Sequence, residues 1–104
     1  MTTFDGRENA FENKFAHDAE MQFKAEARRN KLLGLWAAGL LGKSEVDAKA
    51  YAMEVVKADF EEAGDEDVYR KLAKDLGTKV AETVIRTQMI EMMVEAKRQL
   101  MAEL

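Results

Sequence analysis

Four groups of residues carry side chains suited to chemistry. His17 is the single histidine of the chain. It stands among polar neighbours with no cysteine, no second histidine and no partner serine, so it reads as a surface residue. Gly42-Lys43-Ser44 ends like a phosphate-binding loop, G-x-x-x-x-G-K-[ST]. The first glycine of that pattern would fall on Ala37, and the loop needs a preceding strand where Leu32 to Leu41 reads as helix. A helix stop at Gly42 and a cap at Ser44 explain the same residues. Asp59, Glu61, Glu62, Asp65, Glu66 and Asp67 form an acidic turn. No frame supplies the glycine and terminal glutamate of a calcium loop, so it reads as a solvated turn, with weak, unspecific divalent-cation binding as the residual alternative. Arg28, Arg29 and Lys31 form the only basic cluster, and acidic groups surround it. Nothing here assembles a nucleophile, a base and an oxyanion donor. The sequence predicts no enzyme, no cofactor and no metal site.

The elements that carry these residues follow from composition. A chain of 104 residues makes one domain with one modest core. Apolar residues are 47% and charged residues 35%, a globular balance. There is no proline, and Ala, Glu, Lys, Leu and Met are abundant. These residues lose little rotamer freedom in a helix, and the strongest helix breaker is missing, so the chain reads as all-α. The net charge of −4 argues against a nucleic-acid partner. Zero cysteines exclude disulfides and thiolate metal sites. The start has no apolar signal-peptide core, and the longest apolar run, Leu32 to Gly42, is far below the ~20 residues of a membrane span. The expectation is a cytoplasmic protein with no membrane insertion, monomeric when free.

Three marks punctuate the body. Gly42-Lys43-Ser44 closes one helix and opens another, with Ser44 and Asp47 in capping-box spacing. Gly64-Asp65 and Gly77-Thr78 repeat that grammar. The spacing predicts helices over 18–41, 45–63, 66–76 and 79–102, joined by short connections into a four-helix bundle. In the second, Val46, Ala50, Met53, Val56 or Lys57, and Phe60 mark the expected buried face. Val68, Leu72 and Leu76 mark it in the third. In the fourth, Ala81, Val84, Ile85, Met89, Met92, Ala96 and Leu100 form a stripe widened by Ile90, Met93 and Val94. The first helix is apolar on two sides, Leu32, Leu33, Trp36 and Leu40 on one, Gly34, Ala37, Ala38 and Leu41 on the other. A helix of that kind is buried on both sides, so it should be the central helix, with Trp36 in the core and small residues admitting close neighbours.

The segment before these helices is different. On a helix at ~100° per residue, Phe4, Phe11 and Phe15 lie within roughly 40° of arc. Arg7, Glu8, Glu12 and Lys14 flank them. The stripe ends at Asp18. Gly6, Asn9 and Asn13 weaken the isolated helix, and so short a helix is marginal without a partner. Composition favours a docking element, loose when free and helical when bound, over packing on its own bundle. Residues 1–17 are therefore expected to be a mobile N-terminal arm and residues 18–104 the bundle.

Three stretches carry a family resemblance. They are F-D-x-R-E-x-A-F-E-x-K-F-A-H-D (Phe4 to Asp18), R-R-N-K-L-L-G-L-W-A-A (Arg28 to Ala38) and Y-A-M-E-V-V-K-A-D-F-E-E-A-G (Tyr51 to Gly64). Together they resemble the zeta subunit of the alphaproteobacterial F-type ATP synthase over essentially the whole chain. The resemblance implies a four-helix bundle with a mobile arm that inhibits ATP hydrolysis. It also implies that the arm inserts as a helix between catalytic and non-catalytic subunits of the synthase head. Carried over by position, Phe4, Asp5, Arg7, Glu8, Phe11, Lys14 and Phe15 are its contact residues. The protein would then be peripheral to the inner membrane through the synthase. Gly6 departs from the acidic residue expected there.

Two other functions compete. A small-ligand regulator, of nucleotide for example, would use a groove near Arg28, Arg29 and Trp36. A helical scaffold would bind through Met92 and Met93, since methionine surfaces adapt to partners.

Overall fold

The computed structural model describes residues 15, 18–60 and 64–104. Among these residues there are four α-helices: α1 (Ala19–Leu40), α2 (Glu45–Ala58), α3 (Glu66–Leu76) and α4 (Glu82–Ala102). A single 3₁₀ turn, Gly77–Lys79, precedes α4. The expected arm, residues 1–17, lies outside the described residues except for Phe15, and so do Glu61 and Glu62 of the acidic turn.

Local chemistry sets most of the helix ends. Asp18 caps α1, its Oδ1 accepting from the amides of Glu20 and Met21 at 3.1 Å each. At the other end Gly42 adopts φ +71°, and the amides of Lys43 and Gly42 donate to the carbonyls of Ala38 and Gly39. This is a Schellman ending, which satisfies two otherwise orphaned carbonyls and needs glycine at the left-handed position. Ser44 caps α2, its Oγ accepting from the Asp47 amide at 3.2 Å.

Two boundaries and one cap depart from expectation. Helix α2 ends at Ala58, with Asp59 as its C-cap, not at 63. Asp65 precedes α3 but makes no side-chain cap; its carboxylate reaches Arg29 instead, at 3.0 Å. The last helix starts at Glu82, not near 79, and Thr78 does not cap it. After the 3₁₀ turn the backbone extends at Val80, whose side chain packs against the core, and this uses residues a continuous helix would have claimed.

Helix α1 is central, as its two apolar sides require: it packs on α2 and α4, and α3 touches all three. The main core is Leu33, Ala37, Ala38, Tyr51, Val55, Val68, Leu72, Leu76, Ile85 and Met89. A Cβ built on Gly34 would stand 2.5 Å from the Ala52 Cα, so the close approach of α1 and α2 depends on that glycine. Gly39 has open space around it.

The buried faces are partly those expected. Val68, Leu72 and Leu76 are all buried, as are Ile85, Met89, Ala96 and Leu100. In α2 the expected stripe is turned outward: Val46, Met53 and Phe60 are exposed, and Tyr51, Ala52, Val55 and Ala58 are buried. Ala52 meets Gly34, and the Tyr51 hydroxyl donates to Asp75 Oδ2 at 2.8 Å, so long-range partners select this face. Val84, Ile90 and Val94 of the expected α4 stripe are likewise exposed. Trp36 packs on the rim of the core, not inside it, because Leu33, Ala37 and Ala38 occupy the centre.

Candidate functional site

Of the seven arm residues singled out by sequence, Phe4, Asp5, Arg7, Glu8, Phe11 and Lys14 lie outside the described residues. Phe15 is described, and it packs on its own bundle. It is 2% exposed, in a second core cluster with Met21, Ala25 and Leu100, flanked by Met93 and Met101. The Lys97 ammonium sits 5.4 Å from the ring centroid, within cation–π range.

The seat is built by two helices. Met21 and Ala25 are four apart on α1 and so share a face, while Met93, Lys97, Leu100 and Met101 come from the last turns of α4. Arg28 fastens these walls together. Its Nη1 and Nη2 donate to Glu103 at 2.8 and 3.1 Å, and Nη1 also donates to Gln99 at 2.9 Å. The hydrogen bond to Glu103 raises the guanidinium pKa, and its counterpart holds the Glu103 carboxyl below its ordinary value.

Arg29, beside it in sequence, faces the other way. It is 2% exposed and lies 3.0 Å from Asp65 Oδ1 and 3.7 Å from Asp59 Oδ2. Its Nε donates to Asn30 Oδ1 at 3.1 Å, and Asn30 Nδ2 donates to Asp59 Oδ2 at 2.9 Å. Burial nevertheless pushes the Asp59 carboxyl up, against the pull of Asn30 and Arg29. The proposed ligand set of Arg28, Arg29 and Trp36 is thus dispersed: one arginine clamps the C-terminus of α4, the other ties α1 to the entry of α3, and the tryptophan lies on the core rim.

The acidic turn is also more than a solvated surface. Asp59 and Asp65 serve Arg29, Asp67 is buried, and Glu66 accepts from Arg86 at 2.7 and 3.2 Å. Arg86 in turn stacks 3.8 Å from the Tyr69 ring centroid. Each of these partners lies on another element, which sequence spacing does not reveal. An open, largely apolar groove of about 550 Å³ runs along α1, where Phe23 and Lys24 face Met53 and Val56; Arg28 and Lys31 of the basic cluster line it, and Arg29 and Trp36 do not. No helix among the described residues is long and apolar enough to cross a membrane.

Comparison with known proteins adds the identity of the fold. One solved chain, a solution NMR structure, is 63% identical and superposes with a TM-score of 0.76, covering 81% of this chain and 99% of that one. No curated protein matches the sequence. The family model described as ATPase inhibitor subunit zeta matches residues 1–99, which takes in the arm as well as most of the bundle. A four-helix chain matched to that model almost end to end, this protein belongs to the ATPase inhibitor subunit zeta family.

Proposed function

We propose that this ATP synthase inhibitor acts by inserting its N-terminal arm, as an amphipathic helix, between catalytic and non-catalytic subunits of the synthase head. Insertion blocks rotation in the hydrolytic direction. The observation that carries the reading is that the family match begins at residue 1, so the phenylalanine-bearing arm belongs to what defines the family. Inhibition of this kind requires no catalytic group. It requires a wedge that binds one rotational state better than the others, since only differential affinity shifts an equilibrium.

The arm chemistry suits a wedge. Phe4 and Phe11 supply burial, and Arg7, Glu8 and Lys14 set register and partner choice through charge pairs. Burying one phenylalanine contributes about 1.5–3 kcal/mol, which corresponds to about 10- to 150-fold in affinity. Phe11→Ala should therefore weaken inhibition of ATP hydrolysis by the cognate synthase by about that factor, with the thermal midpoint of the bundle unchanged. Full inhibition by Phe11→Ala and Phe4→Ala together would move the effector from the arm to the bundle.

A further inference from the structure

We infer that Phe15 is a fixed anchor: it stays in its seat on α1 and α4 while residues 1–14 engage the synthase, so the bundle positions the arm. This rests on the arm being the inhibitory element and changes which of its residues touch the partner. Phe15 is the only buried phenylalanine among the described residues; Phe23 and Phe60 are 54% and 66% exposed. Its seat has a wall from each end of the bundle sequence, Met21 and Ala25 at the start of α1 and Leu100 at the end of α4. Methionines 93 and 101 close the sides with adaptable thioethers, and Lys97 covers the ring.

The clamp beside the seat supports the same reading. Arg28, Gln99 and Glu103 hold the final turns of α4 against α1, which keeps the walls of the Phe15 seat together. A partner contact through Phe15 would first have to empty that seat. Full burial of a phenylalanine amounts to about 10- to 150-fold in an equilibrium, and the arm's affinity would fall by that factor. An anchored Phe15 avoids the loss and restricts where the arm points, which limits the orientational freedom lost on binding. Phe15, Lys97 and Arg28 are then positioning residues.

The test places the photo-reactive analogue p-benzoylphenylalanine at position 15 or position 11 of the full chain, bound to the synthase under inhibiting conditions. The anchor predicts that position 15 cross-links within the chain, to Met21, Met93 or Met101, and that position 11 cross-links to a synthase subunit. A synthase adduct from position 15 overturns the anchor. An inhibited complex with no synthase adduct from position 11 overturns instead the reading of the arm. A second pair of variants covers the case in which the larger ring does not fit. Phe15→Leu refills the seat and should keep inhibition within about threefold, whereas Phe15→Ala should weaken it about tenfold or more and lower the thermal midpoint. Equal loss in both, with the midpoint unmoved, is the signature of direct contact and contradicts the anchor.

Discussion

Gly34→Ala is the sharpest probe of how this bundle is put together. The added Cβ would stand 2.5 Å from the Ala52 Cα, 3.1 Å from its Cβ and 3.3 Å from its N, whereas ordinary contact starts at 3.4 Å. The nearest atom is backbone, so no side-chain rotation relieves the clash. Helices α1 and α2 must part by about 0.9 Å, the difference between 2.5 and 3.4 Å, and the layer of Leu33, Ala37, Ala38 and Val55 loosens with them. Overpacking of this kind costs ~1–3 kcal/mol, and a backbone neighbour puts it at the upper end. Replacing a helical glycine by alanine returns about 1 kcal/mol of propensity. The net loss is about 2 kcal/mol, or roughly 8–16 °C in thermal midpoint for a domain of this size. Gly39→Ala is the control, because nothing lies within 4 Å of its added Cβ; it should leave stability unchanged or raise it by up to about 1 kcal/mol. Denaturant melts followed by circular dichroism measure both. If Gly34→Ala is as stable as Gly39→Ala, the close approach of α1 and α2 is not what the glycine provides.

Three further outcomes are expected. Arg29→Met removes the cation from Asp59 and Asp65; the partial exposure of Asp65 and the retained Asn30 bond limit the loss to about 1–3 kcal/mol, measurable by urea unfolding. Acid should weaken the bundle in part through Asp75. Burial raises that carboxyl, but donation from Lys71 at 3.0 Å and Tyr51 at 2.8 Å outweighs it and holds the pKa below its ordinary value. A lowered folded pKa stabilises above the unfolded value of about 4 and loses that contribution as pH falls through the folded one, so the thermal midpoint should drop below about pH 4 and drop less in Asp75→Asn. Asp59, whose folded pKa is raised, works in the opposite sense and offsets part of the drop. Gly6→Ala should strengthen inhibition about fivefold, since helix propensity at one residue is worth about 1 kcal/mol; unchanged potency would mean that the bound arm is not helical at Gly6.

What the sequence revealed and what it hid divide along the range of the interactions. Gly42 and Ser44 act on amides and carbonyls a few residues away, so the end of α1 and the start of α2 are readable from residue type and spacing. The stripe of α3 is readable because one face is clearly the more apolar; in α4 apolar residues lie on several sides, so Ile85, Met89, Ala96 and Leu100 are buried while Val84, Ile90 and Val94 are exposed. Helix α2 has apolar residues on several sides, and the buried one is chosen by Gly34 and by Asp75, 24 residues beyond Tyr51. The same limit explains Arg29. In sequence it belongs to a basic cluster with Arg28, but a step of ~100° along the helix turns the two toward different partners. Spacing alone places Phe15 in one stripe with Phe4 and Phe11, and its contact with Leu100 is not visible in the sequence.

The central claim, that the arm is the effector, is tested most directly by steady-state ATP hydrolysis of the cognate synthase head. The titration compares the full chain with a variant lacking residues 1–14, which retains Phe15 and the whole bundle. The account predicts that the full chain inhibits, and that the truncated chain melts like it yet leaves hydrolysis at the uninhibited rate. Undiminished inhibition by the truncated chain would contradict it.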